Sequence, residues 1–84
     1  MKKIIILGST GSIGRQTIEI IGKNKKNFKI ILLSTNKNTN ILSKQIKKFN
    51  VQNVIVTNIN SYKKIKKKFK KINVFNNFEK LDKI

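Results

Sequence analysis

Gly8-Ser9-Thr10-Gly11-Ser12-Ile13-Gly14 follows directly on the apolar run Ile4-Ile5-Ile6-Leu7, and this junction carries the most specific chemistry in the chain. Three glycines at three-residue spacing, between a strand-like run and a helical pattern, form a cradle of main-chain amides for a dinucleotide pyrophosphate. The first glycine permits a tight turn, the second lets phosphate come close to the backbone, and the third lets helix and strand pack closely. Ser9, Thr10 and Ser12 add hydroxyl donors, and the amides of the first helical turn add partial positive charge. The simpler alternative is a strand-to-helix turn in which glycine serves backbone geometry alone. The position of the pattern between a strand and a helix, with a second strand after it, favours nucleotide binding.

The second informative stretch is Ser34-Thr35-Asn36-Lys37-Asn38. An NAD site places Asp or Glu at the end of the second strand, about 20 residues beyond the glycines, to accept from the ribose hydroxyls. No acidic residue lies between Glu19 and Glu79. Ser34, Asn36, Lys37 and Asn38 offer a cation and amide donors instead, which suits a 2′-phosphorylated ribose and hence NADP.

These two stretches need a scaffold, and the chain alternates accordingly. Lys3 to Leu7 is an isoleucine-rich run expected as a strand covered on both faces. From Ser12 to about Lys23, Ile13, Thr17, Ile18, Ile20 and Ile21 recur near helical spacing, with Gly22 and the Lys and Asn after it closing the helix. Phe28 to Leu33 reads as a second strand and the polar stretch after it as a loop. Thr39 or Asn40 is expected to cap a helix with Ile41, Leu42, Gln45, Ile46 and Phe49 on one face and Lys44, Lys47 and Lys48 in water. Val51 to Thr57 is a third strand, and Asn60 or Ser61 opens a lysine-laden helix with Tyr62, Ile65 and Phe69 on its inner face. Ile72 to Phe75 is a short fourth strand, followed by a helix over Phe78 to Ile84.

Strands alternating with helices of this length predict an α/β fold, a Rossmann-like parallel sheet. Only its N-terminal half is expected: residues 1–84 form one partial NADP-binding domain, and no residues remain for strands on the other side of the first one. A chain of this length buries roughly 60% of its unfolded surface, which leaves little margin of stability. Cysteine is missing, which removes a disulfide framework and thiolate metal sites, and there is no histidine either. Gly8 ends the N-terminal apolar stretch too early for a signal peptide or a membrane span, so the expected location is cytoplasmic, with no membrane partner.

The 20 Lys and Arg residues against Glu19, Glu79 and Asp82 give a net charge of +17. The excess is nearly all lysine, spread along the chain, and accompanied by abundant asparagine and isoleucine, residues that share AT-rich codons. A biased genome yields this mixture without selection for nucleic acid, and no physiological nucleic-acid partner is expected. The opposing reading, a small basic nucleic-acid-binding module, has its best feature in Tyr62 through Lys71, where aromatics interrupt a basic run.

The stretch from Ile6 to Gly14, Thr17-Ile18 after it and Lys37-Asn38 beyond the second strand together resemble the N-terminus of the 1-deoxy-D-xylulose 5-phosphate reductoisomerase family. The spacing between these segments matches without a gap, and the likeness is strongest through residue 38. The resemblance implies that Thr10, Gly11, Ser12 and Ile13 line the cofactor phosphates and that Asn36, Lys37 and Asn38 hold the adenosine 2′-phosphate region. It further implies an NADPH-dependent enzyme of the non-mevalonate isoprenoid route, converting 1-deoxy-D-xylulose 5-phosphate to 2-C-methyl-D-erythritol 4-phosphate. Such enzymes use a divalent ion, Mn2+, Mg2+ or Co2+, and are typically homodimers. Their carboxylate cluster and substrate-phosphate site are expected beyond residue 84, since Glu19, Glu79 and Asp82 are too scattered to converge on a hard cation. No catalytic or metal residue is therefore assigned, and the chain alone is expected to be inactive.

Two departures stand out: the family usually has glycine where Asn36 stands, and a proline near Lys25. Asn tolerates the left-handed backbone that a glycine position can demand. The alternative enzyme class is another NADP-dependent Rossmann reductase of the short-chain dehydrogenase kind. It needs a Tyr and Lys four residues apart on a helix, and Tyr62 and Lys66 have that spacing, on a helix too early in the order of elements.

Overall fold

A computed structural model describes residues 1–84. Four strands, β1 (Lys2–Ile6), β2 (Phe28–Thr35), β3 (Asn53–Val56) and β4 (Asn73–Phe75), form one sheet in the order β1-β2-β3-β4. All three pairings are parallel. The connections carry α1 (Ser12–Gly22), α2 (Thr39–Phe49) and α3 (Ile59–Lys68). This is the α/β alternation that the sequence predicts, because a parallel pair cannot be joined by a tight turn and needs a crossover.

The core unites one sheet face with all three helices. Ile18 and Ile21 of α1, Leu42 and Ile46 of α2 and Ile65 of α3 meet Ile6, Ile30, Leu33, Val54 and Val56 of the strands. Ile55, between Val54 and Val56, points to the opposite face by the pleat and is nonetheless fully buried. An irregularity between Ile4 and Ile5 shifts the β1–β2 register so that Ile4 pairs with Ile30 and Ile5 with Leu32, passing over Ile31. This brings Ile6 beside Leu33 and carries the polar end of β2 up to the glycine loop.

Several local expectations are corrected. β1 lies at one edge of this four-stranded sheet, and it is not covered on both faces, since Ile5 is exposed. The buried stripe of α1 is Gly14, Ile18 and Ile21, whereas Ile13, Thr17 and Ile20 face water. β2 runs on through Ser34 and Thr35, both buried, because their hydroxyls find partners in the glycine loop. The cap of α2 is Asn38, whose Oδ1 accepts from the Ile41 amide at 3.1 Å, and not Thr39 or Asn40. Likewise Asn58 caps α3 at 3.0 Å from the Ser61 amide, which starts the helix at Ile59. Phe78–Ile84 contains a single 3-10 turn, Leu81–Lys83, in place of the expected α-helix. Each capping asparagine was available in the sequence, but a helix start is fixed by which local oxygen reaches the N3 amide, and neighbouring polar residues compete for that role. Tyr62 and Phe69 are half-buried and pack on the core, while the lysines between them are exposed, as a solvated face requires.

Candidate cofactor-binding site

The glycine loop connects β1 to α1 and wraps over the end of β2. Gly8 sits at φ +70, in the left-handed region that glycine alone adopts freely, and so turns the chain out of β1. Gly14 presses on that turn. A Cβ there would fall on the Gly8 carbonyl oxygen and 2.7 Å from the Ser9 Cα, so helix and loop meet this closely only with glycine. Gly11 differs from both. Its backbone is extended, at φ −77 and ψ 175, and an added Cβ would touch only the Gly8 oxygen, at an ordinary 3.5 Å. The fold does not require glycine at this position; what glycine leaves is open space over the start of α1.

That space is lined with free donors. Gly11 caps α1 without a side-chain hydrogen bond, unlike Asn38 and Asn58 on the other two helices. The first internal bonds are the turn from the Gly11 amide to the Gly8 carbonyl at 3.1 Å and from the Arg15 amide to the Gly11 carbonyl at 2.9 Å. The amides of Thr10, Ser12, Ile13 and Gly14 donate to no atom of the chain. Those of Ser12, Ile13 and Gly14 border an open depression of about 520 Å³ whose walls also include Leu7, Gly8 and Gly11. Unsatisfied N–H groups at a helix start, with its partial positive charge, make an anion site. Ile13 is 80% exposed at the mouth of this depression, an unusual position for an apolar side chain.

The loop hydroxyls serve different ends from those expected. Ser9 is fully buried and points inward, its Oγ donating to Gln45 Oε1 at 2.8 Å and lying 3.3 Å from the Ser34 carbonyl. Thr10 Oγ1 shares a 2.6 Å hydrogen bond with Thr35 Oγ1. Ser12 alone of the three is exposed with its hydroxyl uncommitted. Gly8 N donates to Ser34 Oγ and Ser9 N to the Ser34 carbonyl, both at 2.9 Å, so the end of β2 holds the loop from beneath. Gln45 returns a bond from Nε2 to the Ser9 carbonyl at 2.8 Å. Sequence periodicity placed Gln45 only on the inner face of α2; its partner is 36 residues away, beyond any local pattern.

Asn36, Lys37 and Asn38 follow immediately on β2 and are all exposed. Asn36 Oδ1 accepts from Thr57 Oγ1 at 3.0 Å, and the Lys37 carbonyl accepts from Ser61 Oγ at 3.0 Å, so the turn is braced on the start of α3. The Asn38 side chain is spent on capping α2. Asn36 is not in the left-handed region, where Asn50, at φ 51, is the one non-glycine residue. Its replacement of the family's glycine therefore needs no strained backbone. The Thr10–Thr35 bond ties this loop to the glycine loop, because Thr35 directly precedes Asn36.

Elsewhere the chemistry is sparse. No three His, Cys, Asp or Glu side chains come together, and no helix is long and apolar enough to cross a membrane. Lys66 Nζ donates to Tyr62 Oη at 3.1 Å on the surface of α3, and neither residue lines the depression over α1.

Comparison with known proteins agrees with this geometry. Over the whole of its length the chain is 57% identical to the 1-deoxy-D-xylulose 5-phosphate reductoisomerase of Pelagibacter ubique and 40% identical to that of Thermodesulfovibrio yellowstonii. In both cases it spans 22% of the relative's length. Among solved structures, the reductoisomerase from Zymomonas mobilis in complex with NADPH superposes with a TM-score of 0.81 at 25% identity, over 88% of this chain and 20% of that one. A reductoisomerase in complex with magnesium shares the fold, with a TM-score of 0.82 at 23% identity over 100% of this chain and 22% of that one. Residues 4–83 match the family model described as 1-deoxy-D-xylulose 5-phosphate reductoisomerase, and the chain belongs to that family.

Proposed function

We propose that the chain is the N-terminal NADPH-binding segment of an enzyme that converts 1-deoxy-D-xylulose 5-phosphate to 2-C-methyl-D-erythritol 4-phosphate. The single observation that carries this reading is the start of α1, where a glycine the fold does not need replaces a side-chain cap and leaves the amides free. The amides of Thr10, Gly11, Ser12 and Ile13 surround the pyrophosphate position, although the Gly11 amide closes the turn onto Gly8 and shapes more than it donates. The Ser12 hydroxyl is the side-chain donor left to them, and the exposed Ile13 offers an apolar surface beside the cradle. At the second loop Lys37 provides the cation for the 2′-phosphate, Asn36 an amide beside it, and Asn38 chiefly the fixed start of α2.

Bound there, NADPH supplies a hydride donor, and the residues of this chain bind and orient its adenosine and phosphate groups. The family's divalent ion finds no ligand set among them. The same reading makes the whole protein a cytoplasmic homodimer that acts on a phosphorylated sugar, with residues 1–84 as one of its domains in part and the chain alone inactive.

Calorimetric titration at moderate salt tests the reading directly, with NADPH set against NADH. NADPH binds more tightly, and Lys37→Met lowers its affinity about tenfold while leaving NADH within twofold, since a charge-assisted bond to the 2′-phosphate is lost. Equal affinity for the two cofactors, vanishing steeply with salt, would instead reveal a polycation meeting a polyanion.

A further inference from the structure

We propose that Gln45 is a positioning residue for the phosphate cradle, turning the Thr10 amide toward the bound anion by holding the Ser9 carbonyl from behind. This rests on the NADPH reading above and adds to it a residue on a different element, outside the glycine motif.

Gln45 is 6% exposed and lies on α2 among Leu42, Ser43 and Ile46, which are also buried. A buried amide must be fully hydrogen-bonded, and Gln45 directs both ends of its side chain to one residue. Its Nε2 donates to the Ser9 carbonyl and its Oε1 accepts from Ser9 Oγ, each at 2.8 Å. Removing the Gln45 amide alone would leave the buried Ser9 carbonyl without a donor, a structural cost, and the same bond also fixes an orientation. The peptide between Ser9 and Thr10 is trans, and in a trans peptide the C=O and the following N–H point in opposite directions. With the Ser9 oxygen drawn into the core by Gln45, the Thr10 N–H faces away from it, and no atom of the chain accepts from that amide. The Ser9 amide is fixed as well, to the Ser34 carbonyl at 2.9 Å. A cradle made of main chain gains affinity from donors held in place before the anion arrives. Gln45 is the side chain that holds this one.

The test is Gln45→Met in the full chain, titrated with NADPH and with adenosine 2′-monophosphate, which lacks the 5′-phosphates and reaches only the Asn36–Asn38 loop. NADPH affinity falls about tenfold, and adenosine 2′-monophosphate stays within about twofold of wild type. Parallel losses for both ligands that track a lowered melting temperature overturn the proposal and leave Gln45 a structural residue. Wild-type binding that the variant fully retains overturns it too, with the cofactor reading intact, whereas no NADPH preference in the wild type overturns the cofactor reading itself. Should the variant not fold, amide NMR of the wild type decides the point. The Thr10 signal shifts strongly on adding inorganic pyrophosphate, and an unmoved Thr10 signal overturns the assignment.

Discussion

The starts of α1 and α2 are built from the same physics and used in opposite ways. Asn38 turns its own oxygen onto the first turn of α2 and satisfies the helix from within. Gly11 offers α1 no side-chain acceptor, and the donors that result stand open to a depression on the surface. Glycine in place of a capping side chain costs a few tenths of a kcal/mol, so the start of α1 is a small loss of stability. Beside two capped helices, this open start is the feature on which the proposed cofactor site rests.

Substitutions can break this contrast or sharpen it. The largest effect is expected at Gly14→Ala, because the methyl group would be driven into the backbone of Gly8 and Ser9, neither of which can yield without unmaking the turn. A loss of roughly 3 kcal/mol, enough to unfold much of so small a domain, should appear as a collapsed thermal melt. Next is Gly11→Asn, which gives α1 the cap that α2 and α3 already have. The backbone at Gly11 is extended and has room for the side chain, so the melting temperature should hold or rise slightly, by a few tenths of a kcal/mol. NADPH affinity in the same protein should drop about thirtyfold, since the new side chain takes the amides and the space. Unchanged binding in that variant would show that phosphate lies elsewhere. The smallest effect is at Asn58→Ala, which uncaps α3: about 1 kcal/mol of stability is lost in chemical denaturation, with cofactor preference untouched.

The parts of this molecule legible in its sequence are those written in local patterns. Gly8, Gly11 and Gly14 announced a loop whose three glycines the structure finds in three different situations, and hydrophobic spacing located all four strands and three helices. What escaped is what depends on partners far along the chain. Ser34 and Thr35 look like loop residues because their hydroxyls need hydrogen bonds, and those bonds come from Gly8 and Thr10, about 25 positions earlier. Ser9 and Thr10 look like ligand donors for the same reason, and they are turned inward by the same contacts. Ile13 and Ile20 carried the apolar signal of α1 yet face water, because rotation of the helix was set by the close approach of Gly14 to the loop, which hydropathy does not register. The lysines of α3 were readable as a wet face, since Ile65 and its neighbours fix the other side.

The place of β1 at the margin of the sheet has a consequence for how a coenzyme would sit. In doubly wound proteins the dinucleotide straddles the first strand, with adenosine on the side of the second and nicotinamide on the other. Here β2 flanks β1 and carries the Asn36–Asn38 loop at its end, so under the proposed function that loop would meet the adenosine end. On that proposal the segment is a handle for the cofactor, gripping the end that distinguishes one coenzyme from another.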